Sequence, residues 1–417
     1  MGMIRDTIKN RNILVLMVTQ TLFMFTASLW WPYRSLYILE LGATKVDLGL
    51  LLTLETIASI IFQLPGGILT DRWGRRKMLI ISSAIRVGSP LVFFFSSYWV
   101  HLAPGIVLAS AGMLGMPAQN ALIAESLSPE SRGSGFAAIR TVTSIPTIIT
   151  SLMGGMVMDY FGVVPGCRLI LIASFLTGMF SLVVRWRYIT ETFVPDRTPR
   201  PRVKGKSMLQ ELLSLSRDLW IVTVVGAISM FAMRIMMSYM VIYGVEVVGL
   251  SKTQWGLIGT LVSVMTTLLT TPAGMLADRV GKKPVILASR TINAFSILGY
   301  TFSHNFVEMF AVRSLGGIGN GLGGAMWGPM GGPVWQALVA DLSPPEERGT
   351  IMGLMGTIGS IVSSPASWAG GYIYENISPG LPFRASFALD IMGTLILFLF
   401  LKLPEKKSRH VEIKTGS

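Results

Sequence analysis

Long apolar runs separated by short polar turns dominate this chain of 417 residues. They fall near 13–40, 46–70, 77–98, 102–126, 133–161, 168–189, 218–247, 253–277, 284–303, 307–340, 348–375 and 382–403. About 20 mostly apolar residues are needed to cross a bilayer as a helix, because no water is present there to satisfy exposed backbone groups. The runs are continuous rather than alternating with period two, which excludes a membrane β-barrel. With 51% hydrophobic and only 14% charged residues, the chain is too apolar for a soluble protein of this length. The expectation is an all-α polytopic membrane protein with twelve transmembrane helices. The first run, from Ile13, is too long for a cleaved signal and has no small-residue cleavage site, so it is read as the first helix.

The runs form two sets of six. Gly67-Ile68-Leu69-Thr70-Asp71-Arg72-Trp73-Gly74-Arg75-Arg76-Lys77 recurs in outline as Gly274-Met275-Leu276-Ala277-Asp278-Arg279-Val280-Gly281-Lys282-Lys283. Asp278 follows Asp71 by 207 residues. Pro117, Glu125, Ser128-Pro129, Arg132-Gly133 and Gly154-Gly155 are echoed by Pro333, Asp341, Ser343-Pro344, Arg348-Gly349 and Gly370-Gly371, mostly 216 residues on. Duplicated helical membrane units are the pattern of carriers whose halves rock about a central site. The domain expectation is a bundle over residues 1–189, a basic linker with a short amphipathic stretch over 190–217, a second bundle over 218–403 and a tail over 404–417.

Lysine and arginine concentrate on the cytoplasmic side of membrane proteins. Alternate connections, with the termini, hold 25 of them and the opposite set only Lys45, Arg168, Lys252 and Arg384. Both termini are therefore expected to be cytoplasmic, in the cell membrane. The same bias accounts for the net charge of +13, so no nucleic-acid partner is expected. The linker's basic run and apolar stripe suit contact with membrane lipid. A single cysteine, Cys167, and three dispersed histidines argue against a disulfide or metal site. No cofactor is expected: the glycine run Gly319 to Gly324 fits a dinucleotide pattern only formally, since it lies inside an apolar run with no strand beside it. Nothing resembles an enzyme's nucleophile and base. With Pro329, Gly331, Gly332 and Pro333 following, the tenth run is expected to be kinked or broken.

The duplicated charged turn resembles the signature of the major facilitator superfamily, and the resemblance spans essentially the whole chain. It implies that fold, two pseudo-symmetric six-helix bundles. It also implies a conformational latch built from Gly67, Asp71, Arg72, Gly74, Arg75, Glu125 and Arg132, and from Gly274, Asp278, Arg279, Gly281, Lys282, Asp341 and Arg348. By the resemblance, Asp71 faces the start of the eleventh helix near Gly349, and Asp278 the start of the fifth near Gly133. Arg75 reaches Glu125, and Lys282 or Lys283 reaches Asp341. A carboxylate beside the open N–H groups of a helix start is worth about 0.3–1 kcal/mol, weak enough to break in a working cycle. The chain departs from the family's drug antiporters, having Ser151-Leu152-Met153-Gly154-Gly155 with proline displaced to Pro146, and it lacks the family's arginine in the fourth helix.

Ionisable side chains inside spans are expensive and point to paired or cavity-lining positions. The candidates are Arg34, Glu55, Arg86, Arg140, Arg234, Arg290, Arg313 and Asp390. Arginine stays protonated, so proton coupling falls on Glu55 or Asp390. Equal depth predicts a Glu55–Arg86 pair, with Arg140 competing. Asp390 is expected to support packing or to pair with Arg384, and Arg290 to reach the cytoplasmic membrane surface. Substrate contacts are expected from Arg34, Arg86, Arg140, Arg234 and Arg313, with Tyr37, Asn120, Tyr239, Asn320 and Gln336 as uncharged partners. The reading is a monomeric secondary carrier of a small organic solute, coupled to protons, with two directions open: export of amphiphilic compounds, or uptake of an organic anion. An uncoupled facilitator, and in another class a membrane sensor or lipid-moving protein, are carried as alternatives.

Overall fold

A computed structural model of the chain describes residues 10–127, 139, 141–192, 215–323, 331–344 and 347–401. Arg132, Gly133, Arg140, Trp327, Pro329, most of the expected linker and the tail lie outside the described residues. Among the described residues the structure is entirely helical. We name α1 Arg11–Glu40, α2 Lys45–Trp73, α3 Arg75–Phe95, α4 Trp99–Glu125, α5 Thr141–Phe161, α6 Val163–Tyr188, α7 Arg217–Val247, α8 Lys252–Val280 and α9 Lys282–Phe302. After them come α10 Phe306–Gly321, α11 Pro333–Leu342, α12 Arg348–Ser363, α13 Ala366–Asn376 and α14 Leu381–Phe400.

The helices α1 to α9 and α14 are ten long enough and apolar enough to cross a membrane among the described residues. The expected tenth and eleventh spans are each split. α10 stops at Gly321, and glycines with positive φ at Gly323 and Gly331 flank the gap before Pro333 opens α11. α12 stops at Ser363 and α13 resumes after Pro365. The glycine-rich stretch that marked the tenth run thus does end a helix there: Gly323 takes a positive φ that a helix cannot hold, and Pro333 opens the next one, where its missing N–H costs nothing.

Duplication is visible in local chemistry. α2 and α8 are both 29 residues long and open with a capping box. Thr44 Oγ1 accepts from the Asp47 N–H at 3.1 Å, and the Asp47 carboxylate in turn accepts from the Thr44 N–H at 3.0 Å. Ser251 and Gln254 repeat the exchange at 3.0 and 2.9 Å. Each side chain satisfies a donor that the first turn leaves open. Each helix carries one internal proline, Pro65 and Pro272, and ends at a glycine with positive φ, +88° at Gly74 and +97° at Gly281. A Cβ at those two turns would strain the backbone, which is why the charged turns keep glycine.

Within the first half α6 packs on α1 and α3, and α3 on α4; in the second, α7 packs on α12 and α14, and α9 on α10 and α14. The halves meet through α5 against α8 and α2 against α13. Large apolar side chains such as Ile61, Phe95, Leu268 and Val307 stand on the outside, as a lipid-facing surface requires.

Candidate functional site

We call the membrane face that holds residues 10 and 401 the near end and the opposite face the far end. At the far end the two halves are stitched together by four contacts that occur in symmetric pairs. Tyr33 on α1 donates its hydroxyl to the Ser151 carbonyl at 2.6 Å and reaches across the halves to the Lys252 carbonyl at 3.0 Å. Tyr239 on α7 does the same with Ser367 at 2.6 Å and Lys45 at 3.3 Å. The Asp159 carboxylate, at the end of α5, accepts from the Lys252 and Thr253 N–H groups at 3.1 and 2.8 Å and so caps α8. Glu375, at the end of α13, accepts from the Val46 N–H at 3.0 Å and caps α2. The repeated glycine pairs explain themselves here. A Cβ on Gly155 would lie 2.3 Å from the Lys252 carbonyl oxygen, and one on Gly371 the same distance from that of Lys45.

The near end is different. Asp71 is exposed and, among the described residues, pairs with Arg75 across the α2–α3 turn at 3.4 Å, while a Cβ on Gly67, Gly274 or Gly349 would meet nothing within 4 Å. Among the described residues the expected contact of Asp71 with the start of the eleventh helix is not made. Asp278, Arg72 and Arg279 are likewise exposed. The contacts within each half are present. Arg75 donates to Glu125 at 2.9 and 3.0 Å, Lys282 donates to Asp341, and Arg348 donates to the Ala340 carbonyl at 2.9 Å. One partner escaped the sequence reading: Glu191, beyond α6, accepts from the Arg75 and Arg76 N–H groups at 3.0 and 3.1 Å and caps α3. Among the described residues every hydrogen bond between the halves lies at the far end or in the middle, and at the near end Gly67, Gly274 and Gly349 face open space.

Between the two ends lies a charged centre. Glu55 on α2 pairs with Arg34 on α1 at 2.8 Å, and Arg34 stacks over Trp31 at 4.2 Å. Arg234, from α7 of the other half, donates to Thr56 beside Glu55 and feels its charge. The expected Glu55–Arg86 pair is therefore corrected. Arg86 turns to α1 and α4, its guanidinium 4.0 Å over the Phe23 ring and its stem against Gly112. Phe23 stands 11 residues before Arg34 on α1, about 16 Å at the helical rise, so Arg86 sits closer to the near end than Glu55 and the two do not meet.

In the second half a cavity is lined by Arg290, Asn293, Tyr300, Arg313, Asn320 and Asp390 among others. Asp390 pairs with Arg290 at 3.3 Å rather than with Arg384. Arg290 is buried and donates to Ser229 at 2.7 Å and Thr394 at 3.0 Å, so it does not reach the membrane surface as expected: acceptors from α7 and α14 hold it inside. Arg313 lies between Trp255 and Tyr300, its Nε buried without an acceptor, and the Asn320 amide oxygen is also unpartnered. Arg185, counted at sequence level with the surface cations, is only 2% exposed and donates to Thr19 and Ser83.

Of the uncharged candidates, Tyr37 and Tyr239 are buried with their hydroxyls committed to backbone carbonyls, Tyr37 to that of Phe93 at 2.7 Å. They hold helices together in this structure rather than facing an open space. Gln336 donates to the Gly331 carbonyl at 3.0 Å, and Asn120 is exposed.

Two related helical halves, closed at one end over a charged centre and open at the other, define a polytopic membrane carrier. The profile of the Major Facilitator Superfamily matches residues 16–256 and 245–416, and the chain belongs to that family of transporters. It is 23% identical over 401 residues to an uncharacterised MFS-type transporter of Methanocaldococcus jannaschii, covering 94% of this chain and 95% of that protein. It is 23% identical over 393 residues to the multidrug resistance protein MdtG of Proteus mirabilis, covering 91% and 93%. Among solved structures a D-xylose-proton symporter superposes with a TM-score of 0.70 at 18% identity, over 95% of this chain and 99% of that one, a likeness of fold.

Proposed function

We propose that this protein is a secondary carrier of a small organic solute that works by alternating access and draws on protons through Glu55. The observation that carries the reading is the Arg34–Glu55–Arg234 cluster. One titratable group, Glu55, pairs with the Arg34 guanidinium of its own half and lies beside the Arg234 guanidinium of the other, which donates to the adjacent Thr56. Arginine cannot release its proton, so the state of this cluster changes only through Glu55. A protonated Glu55 no longer attracts Arg34 or Arg234, which loosens a link between the halves at mid-depth. A carrier needs such a link to differ between its two conformations, since a ligand shifts an equilibrium only by its differential affinity for the states. The relatives' names, a multidrug resistance protein and a proton symporter, support transport of an organic solute and leave the direction open. The excess of lysine and arginine at the near end supports its assignment as cytoplasmic, in the plasma membrane.

Proteoliposomes with an imposed pH gradient test this. Solutes that raise the thermal stability of the purified protein are added one at a time while internal pH and solute content are followed. Wild type should couple solute flux to proton movement, and Glu55→Gln should exchange solute without responding to the gradient. Flux indifferent to the gradient in wild type, and unchanged in Glu55→Gln, would leave an uncoupled facilitator.

A further inference from the structure

The first half holds more positive charge inside its bundle than its own acids neutralise. Arg185 on α6 donates Nε to Thr19 at 3.0 Å and Nη1 to Ser83 at 2.9 Å; its Nη2 is buried without a partner. Arg86 is one turn further along α3 than Ser83, and its guanidinium rests on Phe23, one turn further along α1 than Thr19. The two guanidinium groups thus occupy successive turns of one α1–α3 groove, within electrostatic reach of each other. Among the described residues no carboxylate pairs with either, because the one mid-depth acid of this half, Glu55, is held by Arg34. Gln20, between Thr19 and Phe23 on α1, has a buried amide oxygen without a partner. Gly112 on α4 makes the arrangement sterically specific. A Cβ there would lie 2.8 Å from the Arg86 Cβ and 3.0 Å from its Cγ and Cδ, so only glycine lets the stem pass toward the space between α1 and α4.

We infer that Arg86, backed by Arg185, is the docking point for the carboxylate of a small organic anion. The inference rests on the carrier reading and names its solute class. Two permanent cations in a low-dielectric groove favour a negative ligand, and a guanidinium matches a carboxylate with two parallel N–H donors. The Phe23 ring holds the guanidinium in place from below. Arg185 acts through its charge and is a positioning residue.

The test uses the full chain purified in detergent, with benzoate, succinate and citrate as probes and benzamide and succinamide as uncharged counterparts, each followed by thermal unfolding. At least one carboxylate should raise the Tm where its amide does not. Arg86→Gln should weaken that response by about tenfold or more, the scale of a lost charge-assisted bond, and Arg86→Lys, which keeps the charge, should retain part of it. Should Arg86→Gln fold poorly, Gly112→Ala gives the same readout by displacing the stem. The comparison is repeated in vesicles of phosphatidylcholine alone and with phosphatidylglycerol. A response abolished by phosphatidylglycerol assigns the groove to anionic lipid and overturns the inference. Stabilisation by carboxylates and amides alike, or an unchanged response in both Arg86 variants and Gly112→Ala, also overturns it. If a carboxylate binds through Arg86 but is not exchanged across proteoliposomes, the carrier reading fails for that solute while the site stands.

Discussion

Arg290 and Arg185 look alike in sequence, each an arginine within or at the edge of an apolar run, and the structure gives them different weights. Arg290 holds the Asp390 carboxylate at 3.3 Å and two hydroxyls besides. Replacing it by methionine strands a buried acid, and breaking a buried pair in this way costs about 3–5 kcal/mol. Arg185 holds only hydroxyls among its described partners. Arg185→Met removes a desolvated charge and strands none, so its cost should be far smaller. Chemical unfolding in detergent should therefore rank Arg290→Met well below Arg185→Met in stability; equal losses would mean that Asp390 is not held by Arg290. The sequence showed which apolar runs carry ionisable side chains. It did not show with whom they pair: counting along the runs gave Glu55 and Arg86 one depth, whereas Arg34 and Phe23, their respective neighbours on α1, stand 11 residues apart.

At the scale of elements, helix ends were the most legible features. The turn glycines and the repeated Gly-Gly pairs were visible as echoes, and the structure supplies the reason for each and adds the matching caps Thr44 and Ser251. What sequence could not supply was the cross-half partner, since Asp159 and Glu375 cap helices that lie 93 and 329 residues away. Those two caps join opposite halves, so they stabilise only the conformation closed at the far end. A carboxylate at a helix start contributes about 0.3–1 kcal/mol, and more when partly buried. Asp159→Asn with Glu375→Gln should thus weaken far-end closure by about 1–2 kcal/mol, roughly five- to thirtyfold in the ratio of states. Spin labels on the far-end turns of the two halves would show this as a growing population of long distances. Gly371→Ala should act in the same direction through steric conflict with the Lys45 carbonyl. An unchanged distance distribution in both variants would remove these contacts from the gate.

For the whole molecule, the two ends carry complementary devices. Far-end acids cap helices of the opposite half, while at the near end Asp71 is exposed and Gly67, Gly274 and Gly349 face open space. The resemblance of the charged turns to those of other family members assigns Asp71 to a helix start in the opposite half, the same physics applied at the other face. Small residues that touch nothing in one state allow close approach in another, as Gly155 and Gly371 already do at the far end. The alternative conformation should then close the near end with Asp71 against the start of α12, and its stability should depend on that charge. Asp71→Asn removes the charge from that contact and costs this conformation only an exposed pair with Arg75, a turn-local contact of little worth, so it should depopulate the other conformation by about 0.3–1 kcal/mol. The sign is opposite to that of the far-end variants. Combining Asp71→Asn with Asp159→Asn should bring the near-end and far-end label distances back toward the wild-type distribution, because each substitution weakens one side of the same equilibrium. If Asp71→Asn shifts the population in the same direction as Asp159→Asn, the two ends are not alternately closed, and the rocking description of this chain fails.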